Sequence, residues 1–438
     1  KKFINNSNHN MLNGCYHMRK KSSTKDLSLS SNERLSLKNR SSFTPKNYFN
    51  TYPKDFKIYT FNAGFKKKLD DLLIIVFDKP VNVSVVYSKT SMPSAPIIWD
   101  KKNNNGTAKV LIVNSGNANA HTGKNGIKII NEYVNHICKN IGCKKNEILV
   151  SSTGVIGEIF DPKKIINQIL KINRQSSNSL LDAAKAIMTT DTFPKVSYKN
   201  VLLKNKSFRI YGICKGSGMI NPKMGTMLVY IFIEAKLSKK LLNKLLKENL
   251  EDTFNSISTD SDTSTSDTLA LFSLNKENIN LEVHNNYKIL KKTLFELMRD
   301  LSLQVVKDGE GLSKLIKVNI LKSKSKNQAK KIGFSIVNSP LVKTAISGQD
   351  ANWGRVIAAI GKTEENINQN KIKVLFGKNL VCEKGSINKK INLKSLNNYM
   401  KSKIIEISVF INSGSINHTV YGNDLTHEYI RINAEYRS

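Results

Sequence analysis

A chain of 438 residues, 39% hydrophobic and 24% charged, has the composition of a globular protein with two or three domain-sized units. Its net charge of +35 comes from lysines scattered through every segment without a dominant cluster, so neither a nucleic-acid nor a membrane partner is expected. The longest apolar runs, residues 72–77 and 227–233, fall far short of the roughly 20 residues a membrane helix needs, and the five cysteines contain no CxxC pair, so no disulfide framework and no metal site is expected.

Residues 1–42 are polar, basic and poor in acids, which reads as a disordered extension, with a transit peptide as the alternative. Beyond them, β-branched runs punctuated by Gly, Asn and Pro predict strands at 72–77, 83–87, 109–113 and 148–152. Between the last two, Ile127, Ile130, Val134, Ile137 and Ile141 share one helical face. Asp161 is placed to cap a helix with Pro162 at its first position, turning Ile165, Ile166, Ile169 and Leu170 inward. Strands follow near 200–203, 208–213 and 227–233. Ser238 then caps a helix with a stripe of Leu241, Leu242, Leu245 and Leu246. A longer helix is predicted at about 287–307, residues 321–331 read as a linker or an exposed helix start, and 403–411 alternate as a strand. The spacing predicts an α/β protein with mixed sheets.

Several motifs carry no function. The "GKT" at 361–363 lacks the first P-loop glycine, because Val356 stands there. The run "DSDTSTSD" (260–267) lacks the central Gly and closing Glu of a calcium loop. The seven histidines form no HxxxH or HExxH pair, and His427 reads as a structural hydrogen-bonder. A Ser-His-Asp triad has no GxSxG elbow to present its serine.

The stretch "KGSGMINPKMGTML" (215–228) is different, because it sets a threonine directly after a glycine at the entrance to an apolar strand. A threonine hydroxyl is a poor nucleophile unless a base lies beside it. Its own α-amine, which titrates near ~8, becomes such a base once the threonine begins a chain. The hydroxyl of Thr226 can create that end by attacking the carbonyl of Gly225, shifting the acyl group from nitrogen to oxygen, and losing it to water. The residues alone leave this beside the plainer reading of a turn before a buried strand.

The same stretch is one of a series. In order, the chain carries "VNSGNANAHTGKNG" (113–126), "SSTGVIGE" (151–158), "AIMTTDTFPK" (186–195), "KGSGMINPKMGTML", "FNSISTDSDTSTSDT" (254–268), "KDGEGLSK" (307–314), "NSPLVKTAISGQDANWGRVIAAIG" (338–361) and "DLTHEYIRINAEYRS" (424–438). With these blocks, from about residue 43 to the end, the chain resembles the ornithine acetyltransferase family, the glutamate N-acetyltransferases of the acetyl-cycling arginine pathway. The resemblance implies a mixed-sheet α/β sandwich with a smaller second lobe. It also implies self-cleavage between Gly225 and Thr226, giving an α piece (43–225) and a β piece (226–438) assembled as an α2β2 heterotetramer.

Carried over onto this sequence, the family pattern makes Thr226 the nucleophile and Thr153 and Gly154 the oxyanion donors. It makes Thr190, Lys215, Thr226, Glu310, Asn433 and Ser438 the substrate contacts. The chemistry suits an amino-acid substrate: Lys215 for an α-carboxylate, Glu310 for the side-chain amine of ornithine. The implied reaction moves acetyl from N2-acetyl-L-ornithine to L-glutamate through an acetyl-threonine, with no cofactor and no metal. Acetyl-CoA is a possible second donor, and a hydrolase using the same terminal threonine is the alternative. Gly225 replaces the family's usual alanine, Ser261 and Ser266 replace a glycine and an asparagine, and Ser438 keeps the hydroxyl of a threonine. The expected compartment is the cytoplasm.

Overall fold

The structure is a computed structural model and describes residues 40–204, 206–221, 227–278 and 284–435. Gly225, Thr226, Ser438 and most of the basic extension lie outside the described residues. From Ser41 onward the chain forms one compact unit.

Its first sheet has eight strands: β1 (Phe56–Phe61), β2 (Leu72–Tyr87), β3 (Thr107–Asn117), β4 (Ile148–Val155), β5 (Lys195–Leu203), β6 (Lys206–Lys215), β7 (Leu228–Lys236) and β8 (Thr268–Asn278). The order is β4-β3-β2-β8-β7-β6-β5, with β1 beside β2. The two strands expected at 72–77 and 83–87 are therefore one. The register of β2 slips between Val76 and Val81, around Pro80, which has no N–H to give a ladder. Its first half pairs with β1 and its second half with β8.

That bend folds the sheet onto itself. Leu111 of β3 and Leu149 of β4 share one core cluster with Tyr211 of β6 and Tyr230 and Phe232 of β7. Alternate residues face outward, as the period of two requires. Val110, Ile112 and Val150 meet α1 (Ala95–Asn103), α2 (Gly123–Ile141) and α3 (Lys163–Ile169). A short α4 (Leu180–Ala186) packs into the central layer. On the far side, Val229, Ile231 and Leu271 meet α5 (Lys239–Leu250) and α6 (His284–Val306). The result is a helix–sheet–sheet–helix sandwich.

Local chemistry sets the helix ends. Ser238 caps α5 by accepting from the Leu241 N–H at 3.3 Å, and Gly142 ends α2 in the left-handed region at φ 71°. Asp161 does accept from the Lys163 N–H at 2.9 Å, but Pro162 is the cap residue and α3 stops at Ile169. Leu170 thus falls beyond the helix and is exposed, against the expectation that it points inward. Along the edge of the sheet, Asp100 of α1 accepts from the Val150 N–H of β4 at 3.0 Å, a side-chain cover for an edge strand.

The second sheet holds β9 (Leu315–Ser323), β10 (Lys373–Phe376), β11 (Asn379–Glu383), β12 (Ser386–Ile387), β13 (Ile404–Phe410) and β14 (Ile416–Asn423). It builds its own core with α7 (Lys326–Val337), α8 (Pro340–Ser347), α9 (Trp353–Gly361) and α10 (Leu393–Met400). Of the two readings of residues 321–331, the helix start holds and the linker does not: β9 ends at Ser323 and Ser325 caps α7. A last helix, α11 (His427–Ala434), follows β14. Both sheets mix parallel and antiparallel pairs, as expected.

Candidate active site

The candidate site forms where strand ends of the first sheet meet the loop after α6 and the end of α11. Thr153 and Gly154 end β4. Parallel pairing with β3 brings Gly154 opposite Gly116, so closely that a Cβ on Gly154 would lie 2.3 Å from the Gly116 carbonyl carbon. Gly154 also has φ +129°, which other residues avoid. Two facing glycines let the strand ends close up and turn the chain. Lys215 ends β6, nearly buried, and its Nζ donates to Thr153 Oγ1 at 3.2 Å.

Glu310 arrives from the loop after α6. Its Oε2 accepts from Asn433 Nδ2 of α11 at 2.9 Å, and its backbone N–H donates to the Ser217 carbonyl at 3.4 Å. The space its carboxylate fills belongs to Gly218, where a Cβ would sit 2.5 Å from Glu310 Oε2. Thr190 completes the wall. Thr153, Gly154, Thr190, Lys215, Glu310 and Asn433, separated by as many as hundreds of positions in the chain, all line one cleft of about 280 Å³. They bring to it one ammonium, one carboxylate, two hydroxyls and an amide.

A second layer, which the sequence reading missed, holds these parts together. The Lys195 ammonium lies 2.6 Å from both Asp191 Oδ1 and Asp308 Oδ2, and all three side chains are fully buried. Asp191 Oδ1 also accepts from the Gly216 N–H at 2.7 Å and its Oδ2 from the Thr189 N–H at 2.9 Å. Asp308 accepts from the Thr192 N–H at 2.9 Å, and its carbonyl takes the Ser217 hydroxyl at 2.6 Å. One cation therefore ties the threonine arm, the end of β6 and the Glu310 loop. Burial alone raises a carboxyl, yet the Lys195 and Lys215 ammoniums hold Asp191 well below the usual carboxylate range. Burial lowers a lysine, yet Asp191 and Asp308 hold Lys195 above its ordinary value. Burial dominates at Lys215 and pushes it down, against the pull of Asp191. Asp191 to Lys195 is an i,i+4 acid–base pair in "DTFPK", and that spacing was the one available signal.

The run dismissed as a calcium loop also belongs here. Ser264, Thr265 and Ser266 line the cleft, and Asp260 accepts from the Met219 and Ile220 N–H groups at 2.5 and 2.9 Å. That carboxylate anchors the segment leading toward Gly225 and Thr226. A serine–histidine–aspartate grouping does assemble elsewhere, with Ser256 Oγ 3.0 Å from His418 Nε2 and His418 Nδ1 3.4 Å from Asp252. Its serine is sealed: Ser256 is 1% exposed and its hydroxyl donates to the Glu251 carbonyl at 2.5 Å. No helix among the described residues is long and apolar enough to cross a membrane.

Comparison with known proteins places the chain among close relatives. The model of the ArgJ family matches residues 57–438. An "Arginine biosynthesis bifunctional protein ArgJ" of Bartonella henselae is 42% identical over 388 residues, covering 87% of this chain and 95% of the relative. One of the same name from Mesorhizobium japonicum is 41% identical over 401 residues, covering 88% and 97%. A crystal structure of ArgJ from Bacillus halodurans is 34% identical, covers 48% of this chain and 100% of that chain, and superposes with a TM-score of 0.45.

Proposed function

The chain belongs to the ArgJ family, and from that premise we propose that it is an acetyltransferase of arginine biosynthesis that cuts itself before Thr226 and carries acetyl on that residue. N2-acetyl-L-ornithine binds in the cleft with its carboxylate at Lys215 and its side-chain ammonium at Glu310. The Thr226 hydroxyl attacks the acetyl carbonyl while the α-amine freed by cleavage takes its proton. The Thr153 hydroxyl and the Gly154 N–H donate to the oxyanion, the kind of preorganised stabilisation worth roughly 100- to 1000-fold in turnover. Collapse returns the proton to the leaving amine and releases ornithine. The α-amine of L-glutamate then takes the acetyl group from the ester. The acyl-threonine conserves the bond, so no cofactor is required.

The observation that carries this reading is the convergence of Thr153, Gly154, Thr190, Lys215, Glu310 and Asn433 on one cleft. Oppositely charged groups in that cleft suit a zwitterionic amino acid with a second amine, and the Asn433 amide fixes the Glu310 carboxylate. The relatives' names call them bifunctional, which favours acetyl-CoA as a second donor to the same threonine. Assembly as α2β2 and a role for the Ser438 hydroxyl at the cleft belong to the same proposal.

Denaturing electrophoresis tests the first step: the purified protein gives two pieces, and Thr226→Ala gives one. Ornithine release from acetylornithine, followed with and without glutamate, tests the second. Transfer requires sustained release only when glutamate is present; equal sustained release in both reactions contradicts it and indicates a hydrolase.

A further inference from the structure

Lys215 does more at this site than meet a substrate. An ammonium has only hydrogens to give, so in the 3.2 Å contact between Lys215 Nζ and Thr153 Oγ1 the threonine oxygen must accept. A threonine hydroxyl carries a single proton, and with one lone pair committed to Lys215 that proton has to point elsewhere. Thr153 lines the cleft, and among the described residues none accepts its proton. We propose that Lys215 is a positioning residue for the acyl-transfer step: its ammonium fixes the rotor of the Thr153 hydroxyl so that the proton faces the oxyanion, and Asp191, which accepts from the neighbouring Gly216 N–H, anchors the strand end that carries it. The inference rests on the oxyanion role given to Thr153 above and assigns to Lys215 a part in turnover that a substrate contact alone would not have.

The geometry explains why such a lysine can stay charged in a buried position. Asp191 reaches the residue next to Lys215 through the Gly216 N–H at 2.7 Å and is itself kept ionised by Lys195 at 2.6 Å. The titratable groups around Lys215 are Asp191, Glu310 and Asp267, whose ionised forms favour the ammonium although burial pushes the Asp267 carboxyl well up, and Lys195 and Lys66, which oppose it. A hydroxyl polarised by a cation is also a better donor than a free one, because accepting a charge-assisted hydrogen bond draws electron density from its O–H.

A double-mutant cycle on kcat, per mole of self-cleaved chain, tests this. Thr153→Val loses roughly 100- to 1000-fold in kcat. Lys215→Met raises KM through the lost substrate contact and also lowers kcat by roughly 10- to 100-fold, the scale of one charge-assisted hydrogen bond. In the double variant the KM effect persists, but kcat falls no further than in Thr153→Val, because the rotor that Lys215 orients is gone. Losses in kcat that multiply overturn the proposal. A Thr153→Val enzyme with wild-type kcat overturns the oxyanion role itself, and this inference with it.

Should Lys215→Met fail to fold, the pH profile of the lysine-containing enzymes decides. Protonated Lys215 is the orienting form, and burial sets its titration below the ordinary lysine value of about 10.4. The wild type and Thr153→Ser then lose kcat as pH rises through that titration, and Thr153→Val shows no such fall. Asp191→Asn removes a negative neighbour, destabilises the ammonium, and moves the fall to lower pH. An alkaline fall of equal size in Thr153→Val contradicts the proposal.

Discussion

At the scale of single residues, Gly218 gives the cleanest separation of function from stability. A methyl there would sit 2.5 Å from the Glu310 carboxylate, but that carboxylate ends a flexible side chain and can swing away. Gly218→Ala is therefore expected to leave the fold and its melting temperature nearly unchanged while displacing Glu310 from Asn433. Steady-state kinetics then show KM for acetylornithine rising by roughly 10-fold or more, the cost of about one hydrogen bond to a charged group. An unchanged KM contradicts the role given to Glu310. The sequence made Glu310 legible only through its family block, since a carboxylate in "KDGEG" otherwise reads as a surface group. The Asp191–Lys195–Asp308 cluster was hardly legible: Asp308 lies more than a hundred positions from its partner, and the i,i+4 spacing of Asp191 and Lys195 does not by itself mark a fully buried lysine.

At the scale of elements, the end of β4 decides how the proposed oxyanion donors, Thr153 and Gly154, are presented. Gly154→Ala would need a positive φ that alanine resists and would drive a Cβ into the backbone of Gly116, with no flexible atom to yield. It is expected to cost about 1–3 kcal/mol or more from the backbone strain alone, read as a lower melting temperature, and to abolish turnover. An active, equally stable Gly154→Ala protein contradicts the geometry of β3 against β4. Elements with strong local signals were legible in the sequence, including α2, α5 and α6 from their apolar spacing, with the Ser238 cap of α5 agreeing as well. The errors came where tertiary pairing overrode the local pattern. β2 runs through a Lys79–Pro80 break because β1, β3 and β8 each pair with part of it. Leu170 misses the core because α3 ends one residue earlier than its apolar stripe suggests.

At the scale of the whole molecule, the proposed cleavage before Thr226 would not divide the fold. β6, ending at Lys215, and β7, beginning at Leu228, are antiparallel neighbours in one sheet, both share an apolar cluster with α5 and α6, and α6 packs against β5 and β6. The strands that would belong to different pieces share the largest apolar layers of the sandwich. The two pieces are accordingly expected to co-elute through native chromatography and to part only in denaturant; separation under native conditions contradicts this packing. The surplus of lysine accounts for none of these contacts. Residues from 41 to 435 act instead as one scaffold that brings a strand end, a loop and a terminal helix to a common cleft.

Intact-mass spectrometry of the purified enzyme tests that account most directly. Mixed with N2-acetyl-L-ornithine alone, the C-terminal piece should begin at Thr226 and gain a single acetyl group there. Addition of L-glutamate should remove that group and yield N-acetyl-L-glutamate. An active enzyme whose chain remains joined between Gly225 and Thr226, or whose acetyl group never resides on that threonine, would contradict it.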